Sequence, residues 1–74
     1  MKVFIHDKVR DLYLAGPDRW VAKPDAAQDF VAVGDAITCV VGQRLSGVEL
    51  VCAFPNPQYN FALPMQPYEK TASA

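Results

Sequence analysis

The sequence predicts an α+β protein, a two-layer sandwich whose antiparallel sheet of four or five strands carries one helix on one face. Three observations predict this fold class. Short apolar runs alternate with turn-forming residues in the N-terminal third, one amphipathic helical stripe follows, and one strongly alternating strand comes after it. The predicted order is β-β-β-α-β, with a fifth strand left open, and the single helix covers one face of the sheet.

Three short strands are predicted before the helix, at residues 3–5, 12–15 and 20–22. The polar residues 7–11 favour a turn between the first two strands. The sequence Gly-Pro-Asp-Arg at residues 16–19 favours a tight turn, because proline pre-sets the backbone of the second turn position. The three strands are therefore expected to form an antiparallel meander.

The turn lengths predict how these strands pair. A four-residue turn pairs His6 with Tyr13, and a two-residue turn pairs Ala15 with Trp20. Side chains alternate between the two faces of a strand. One face is then predicted to hold Val3, Ile5, Leu12, Leu14 and Val21. The opposite face is predicted to hold Phe4, His6, Tyr13, Ala15 and Trp20.

A helix is predicted after a polar connector at residues 23–29 and an anchoring aromatic residue, Phe30. Its apolar stripe has the helical spacing i, i+3, i+4, i+7, i+8, i+12 and consists of Val33, Ala36, Ile37, Val40, Val41 and Leu45. No side chain caps its start. Arg44 in the last turn and Gly47, which can adopt the left-handed backbone conformation, indicate its end.

Residues 48–54 form the strongest predicted strand, with the side chains of alternate residues on opposite faces. Residues 59–63 are extended in character and are predicted either as an edge strand or as a cover for one sheet face. Pro64 ends this segment. We therefore expect a single domain over residues 1–65 and a flexible C-terminal tail over residues 66–74.

Composition and charge exclude several classes of function. The 74 residues carry a net charge of −1, so the basic field typical of nucleic-acid-binding proteins is missing. No apolar stretch is long enough for a signal peptide or a membrane-spanning helix, because prolines interrupt the uncharged residues 50–68. We expect a cytoplasmic protein whose two cysteines are reduced.

Catalytic and metal sites are not predicted. The single histidine, His6, lacks the further ligands that a catalytic metal needs. A cysteine nucleophile needs a histidine within hydrogen-bond reach, but the alternation places Cys52 inside and His6 on the opposite face. Glycine motifs that bind phosphate are absent. We expect no catalytic residue, no cofactor and no metal, and a cysteine-dependent enzyme is the remotest alternative.

Two surfaces are candidate interfaces, because 51% of the residues are apolar and one small core has difficulty hiding them. The first is the aromatic sheet face, which consists of Phe4, His6, Tyr13 and Trp20 and is extended by Val51. The second is a helix face of small residues at Cys39 and Gly42, where another backbone can approach closely. In the competing interpretation, Phe61, Leu63 and Met65 fold back and cover the aromatic face.

An aromatic hairpin with Tyr13, Leu14 and Trp20 leads to an Ala-x-x-Phe anchor at residues 27–30. A helix containing Ala36 and the strand Val-Glu-Leu-Val at residues 48–51 follow. This order resembles a pattern in short uncharacterised bacterial proteins and spans residues 3–54. The resemblance implies the same fold, and it implies no activity.

These observations favour a small, non-catalytic protein-interaction module. The expected partner is a second copy of the chain, in a homodimer or a larger homo-oligomer, or another protein. A small-ligand-binding or regulatory module, with a pocket near Tyr13 and Trp20, is the alternative.

Overall fold

The computed structural model of the chain describes residues 1–65, so the predicted tail over residues 66–74 lies outside the described residues. The α+β fold class is confirmed, and the fifth strand is present. The regular elements are β1 (Lys2–Asp7), β2 (Leu12–Gly16), β3 (Arg19–Val21), α1 (Val33–Gly42), β4 (Val48–Ala53) and β5 (Phe61–Pro64). Two short 3₁₀ turns, Pro24–Ala26 and Pro57–Tyr59, lie in the connections.

The five strands form one antiparallel sheet in the order β3-β2-β1-β4-β5. β4 returns after the helix to pair with β1 along six residue pairs, from Lys2 opposite Ala53 to Asp7 opposite Val48. The most apolar strand therefore lies in the interior of the sheet, where both of its edges are hydrogen-bonded.

The core lies between α1 and one face of the sheet. Its fully buried strand residues are Val3, Ile5, Leu14, Leu50 and Cys52, and the helix contributes Ala36 and Val40. The predicted stripe thus faces the sheet, except that Val41 is 56% exposed. Met65 and Leu63 also pack against this core, so β5 extends the sheet and does not fold back over its other face.

The predicted register is confirmed between β1 and β2 and is wrong between β2 and β3. His6 lies opposite Tyr13, as expected. In β2 and β3, Gly16 lies opposite Arg19 and Leu14 lies opposite Trp20. Ala15, the predicted partner of Trp20, is an extra residue at an irregularity of the ladder. Such a bulge shifts the pairing by one residue and reverses the faces of the following strand. Trp20 therefore packs on the core side.

The connector before the helix is tied into the sheet. At one end of the sheet, residues 28–30 occupy the space between β1 and β2. The Gln28 amide donates to the Leu14 carbonyl (3.0 Å), and the Phe30 amide donates to the Val3 carbonyl (2.9 Å). The Asp29 carboxylate accepts from the amides of Val3 and Val31, and these bonds lower its pKa. Phe30 packs against the core and is the anchor that the sequence predicts.

Val31 is strained by this arrangement. Its φ is +67°, and the Ala32 amide donates to the Phe30 carbonyl at 2.6 Å, which closes a three-residue turn around Val31. The left-handed region is disfavoured for β-branched residues. The side chain is 68% exposed, so no buried contact compensates for the strain.

Replacing Val31 by glycine is therefore expected to raise the free energy of unfolding by about 0.5–1 kcal/mol. Glycine relieves the backbone strain of the folded state, and the greater conformational entropy of the unfolded chain offsets part of this gain. Urea denaturation measures the change. The matched control is Val41→Gly, an exposed valine inside α1, for which a loss of about 1 kcal/mol is expected. Equal losses in both variants would contradict the assignment of strain to Val31.

At the end of α1 the left-handed position is taken by Arg44 and not by Gly47, the residue expected to adopt it. The amides of Arg44 and Leu45 donate to the carbonyls of Val41 and Val40, which is the Schellman pattern. The left-handed position of this motif is occupied by Arg44, with φ of +53°. Gly47 also has a positive φ, +68°, but it lies in the turn that leads into β4.

Candidate functional site

The sheet face opposite α1 is the candidate site and is called the outer face below. Cross-strand pairs share a face, so the pairs Phe4–Val51, His6–Glu49 and His6–Tyr13 define it. Its central members are Phe4, Tyr13, Val51 and Ala53, with the charged pair of His6 and Glu49 toward one end.

An open groove of about 470 Å³ lies on this face. Phe4 and Tyr13 meet edge to face there, with ring centroids 6.3 Å apart and ring planes at 79°. Phe4 is only 6% exposed, whereas Tyr13, Val51 and Ala53 are half-buried. The remaining lining residues are Met1, Lys2, Pro24, Asp25, Phe54, Pro55 and Asn60. The groove is thus largely apolar and aromatic, with one basic and one acidic side chain.

The structure brings together four of the predicted interface residues, namely Phe4, His6, Tyr13 and Val51. Trp20 is not among them, because the irregularity at Ala15 turns it to the core side, where the Arg10 guanidinium lies 4.8 Å from its ring.

The predicted small-residue face of the helix is also changed. Cys39 is half-buried and packs against the core, so it does not point outward as expected. Its sulfur accepts from the Gln43 side chain at 3.4 Å. Gly42 is exposed at the end of α1, away from the outer face.

A row of three ionisable side chains borders the outer face. His6 Nδ1 lies 2.9 Å from a Glu49 carboxylate oxygen, and His6 Nε2 lies 2.7 Å from an Asp11 carboxylate oxygen. The imidazole also packs against the ring of Tyr13, with centroids 4.6 Å apart. We call Glu49, His6 and Asp11 the charged row.

The geometry of the charged row favours a protonated histidine. Both ring nitrogens face carboxylate oxygens, and only imidazolium donates from both. Desolvation opposes the charge, but the hydrogen bonds and charges of Asp11 and Glu49 outweigh it and raise the pKa of His6 above its ordinary value of 6.5. The two carboxylates lie on opposite sides of the ring. Consistent with this, no three His, Cys, Asp or Glu side chains within residues 1–65 are placed to hold a metal ion.

Sequence reasoning missed Glu49 and Asp11. His6 and Glu49 are 43 residues apart and meet only because β4 pairs with β1 in this register. Asp11 reaches back five residues across the turn, from a backbone with φ of +56°. A signal existed for Glu49: it is the only acidic residue of the apolar strand.

The charged row makes stability depend on pH. The folded pKa of His6 is raised, so its contribution is complete below about pH 6.5, the unfolded value, and is lost as the pH rises through the folded pKa. We expect the free energy of unfolding to fall as the pH rises from about 6.5 through the raised pKa of His6. Urea titrations across that range measure it, with His6→Gln as the control. If the wild type and His6→Gln show the same pH profile, the assignment is wrong.

The two cysteines are poorly placed for nucleophilic chemistry. Cys52 is fully buried on the core side, on the face opposite His6. Desolvation raises the pKa of both Cys39 and Cys52, which disfavours the reactive thiolate.

Comparisons of the chain with models of protein families, with curated proteins and with solved structures give no match. Among residues 1–65, no helix has the length and apolar character that crossing a membrane requires.

Proposed function

We propose that the protein is a small, non-catalytic interaction module that self-associates, with the outer face of one copy against the outer face of a second. The observation that carries this proposal is the apolar groove on that face. α1 packs on the other side of the sheet, and the outer face has no helix over it within residues 1–65. Phe4 is almost fully buried in this groove, whereas Tyr13, Val51 and Ala53 are half-buried and leave part of their apolar surface open to a partner. Aromatic residues are enriched at interaction sites.

The charges that line the groove favour a second copy as the occupant. Lys2 and Asp25 both line it and are both exposed. Within the described part of the chain, neither forms an ion pair within 4.0 Å, although the charge of Lys2 also acts on Asp29. In a twofold dimer every contact is reciprocal, so a contact between two different residues occurs twice across the interface. We propose that Lys2 of each copy pairs with Asp25 of the other, so that two equivalent ion pairs orient the dimer.

Pairing through the sheet edges is the competing route to a dimer. The Val3 amide and carbonyl bond to residues 29 and 30, so they point away from β4. The direction of the backbone hydrogen-bonding groups alternates from one residue to the next along each strand. Followed across β4 to β5, this alternation leaves the backbone groups of Ala62 and Pro64 pointing outward at the β5 edge. Pro64 has no amide hydrogen, and proline on an edge strand blocks pairing. The other edge, β3, has only three residues and begins with Arg19. The outer face is therefore the favoured surface.

The size of the outer face predicts a weak dimer. Five strands of three to six residues, with a rise of about 3.3 Å per residue and a spacing of about 4.8 Å, cover about 400 Å² per copy. A standard interface buries about 800 Å² per partner. We therefore expect a dissociation constant in the micromolar range or weaker.

Sedimentation equilibrium over a wide range of protein concentration tests the proposal. We expect the average mass to rise from one chain to two as the concentration increases. A mass of one chain at all concentrations up to the millimolar range would overturn the proposal. A further rise beyond two chains would contradict a closed twofold arrangement.

A small ligand is the second candidate occupant, because the groove volume of about 470 Å³ lies within the range of small-molecule sites. The pocket of this alternative contains Tyr13 but not Trp20. A ligand that binds only the folded state raises the melting temperature. A thermal-shift screen with apolar aromatic compounds therefore tests it, and the absence of any shift counts against this candidate.

The remaining parts of the proposal concern chemistry and compartment. Two unpaired cysteines, Cys39 and Cys52, suit the reducing cytoplasm, where we place the protein. The raised pKa values of both thiols and the position of Cys52 opposite to His6 support a role without catalysis. Titration of the native protein with a thiol reagent tests this, because a nucleophilic cysteine would react faster than a model cysteine in solution.

A further inference from the structure

The charged row takes no part in the contacts proposed for self-association. Its outermost member, Asp11, ends the turn between β1 and β2, which consists of residues 8–11. We propose that this turn is a latch, which protonated His6 holds closed through Asp11 and which neutral His6 releases.

The stereochemistry of imidazole carries the proposal. The two ring nitrogens of His6 lie 2.9 Å and 2.7 Å from carboxylate oxygens of Glu49 and Asp11. A neutral imidazole has one N–H and one lone pair, so it donates to only one of these carboxylates. The second contact then sets a lone pair against a carboxylate oxygen at hydrogen-bond distance, which is repulsive. One of the two contacts must therefore open when His6 loses its proton.

Asp11 is the partner that leaves. Its side chain is 85% exposed, whereas that of Glu49 is 23% exposed, so water replaces the bond to Asp11 more readily. Glu49 lies on β4, whose pairing with β1 holds it opposite His6.

The charged groups near the turn, other than Glu49 and Asp11, do not act on the His6 ring. The charges that act on His6 are those of Glu49 from β4 and Asp11 from the turn, and the ring of Tyr13 faces it from β2. Arg10 is held by Asp7, with 2.8 Å between Nε and the carboxylate. Asp7 also accepts from the amides of Val9 and Arg10. The first half of the turn therefore stays in place while the Asp11 end opens.

Two backbone amides report separately on the two ends of the turn. The Asp11 amide donates to the Asp7 carbonyl at 2.8 Å, and the Lys8 amide donates to the Gly47 carbonyl at 3.1 Å. Water-exchange NMR of the full chain measures both, after correction for the intrinsic pH dependence of exchange. The ring protons of His6 follow its titration without ambiguity, because it is the only histidine.

We expect the protection of the Asp11 amide to fall by about threefold or more as His6 loses its proton, while that of Lys8 stays constant. In Asp11→Asn, the side-chain amide of the new residue donates to the unprotonated Nε2, so the latch is expected to stay closed and protection of residue 11 to become independent of pH. The substitution is at an exposed position and leaves the core intact.

Three results would overturn the proposal. The first is constant protection of Asp11 through the His6 titration in the wild type. The second is an equal loss of protection at Lys8, which would indicate general loosening. The third is a pH-dependent loss in Asp11→Asn that matches the wild type. None of these results depends on whether the protein self-associates. The latch can therefore be disproved while self-association holds, and the reverse.

Discussion

Replacing Leu50 by alanine is expected to lower the free energy of unfolding by about 3–4 kcal/mol, because it removes a fully buried side chain from the middle of the core. Leu50 lies on β4 between Ile5 of β1 and Leu63 of β5, so the resulting cavity has rigid strands on both sides. A domain of this length has a total stability of about 4–11 kcal/mol. The variant is therefore expected to lose a large share of it.

Urea denaturation followed by Trp20 fluorescence measures this change, since Trp20 is the only tryptophan and packs against the core. The matched control is Leu63→Ala on edge strand β5, where the side chain is only half-buried. We expect Leu63→Ala to lower the free energy of unfolding by about half as much as Leu50→Ala, or less. Equal losses at the two positions would contradict the placement of the core. All measurements use one protein concentration, because self-association adds to apparent stability.

Replacing Val51 by lysine is expected to weaken self-association at least about tenfold, because it places two like charges near the centre of a twofold interface. Val51 lies on β4 at the floor of the groove, opposite Phe4. It is half-buried in the single chain, so the lysine stem can lie along the groove while its ammonium reaches water. The fold is therefore expected to survive.

The control is Val41→Lys, the same substitution at an exposed position of α1 on the other side of the sheet. Sedimentation equilibrium is expected to give the wild-type association constant for this control. Thermal unfolding of both variants at low concentration verifies that each remains folded. If Val41→Lys weakens association as much as Val51→Lys, the outer face is not the contact surface.

The parts of the fold that sequence patterns predict are those determined over short distances along the chain. The helical spacing from Val33 to Leu45 indicated α1, and the alternation in residues 48–54 indicated β4. The length of the first turn was sufficient to predict that His6 lies opposite Tyr13. In each case a local period or turn length determines the result, so no knowledge of distant contacts is needed.

The parts that were missed depend on backbone irregularities or distant pairing. The extra residue at Ala15 reversed the face of Trp20 and removed it from the predicted interface. The left-handed backbone of Arg44 and of Val31 has no signal in residue type, because both are residues that usually avoid it.

The candidate site was predicted in outline only. Phe4, Tyr13 and Val51 share the outer face as expected, because alternation within each strand places them there. The charged row was not foreseen, since its Glu49 comes from a strand 43 residues away from His6. The walls of the groove at Pro24 and Asn60 come from connections whose paths the sequence pattern does not specify.

The most direct test of the account is an isotope-filtered NMR experiment on an equal mixture of labelled and unlabelled chains at high concentration. Self-association through the outer face predicts intermolecular contacts between the methyl groups of Val51 in one copy and the aromatic protons of Phe4 or Tyr13 in the other. Intermolecular contacts confined to α1 or to β5, with none at the outer face, would contradict it.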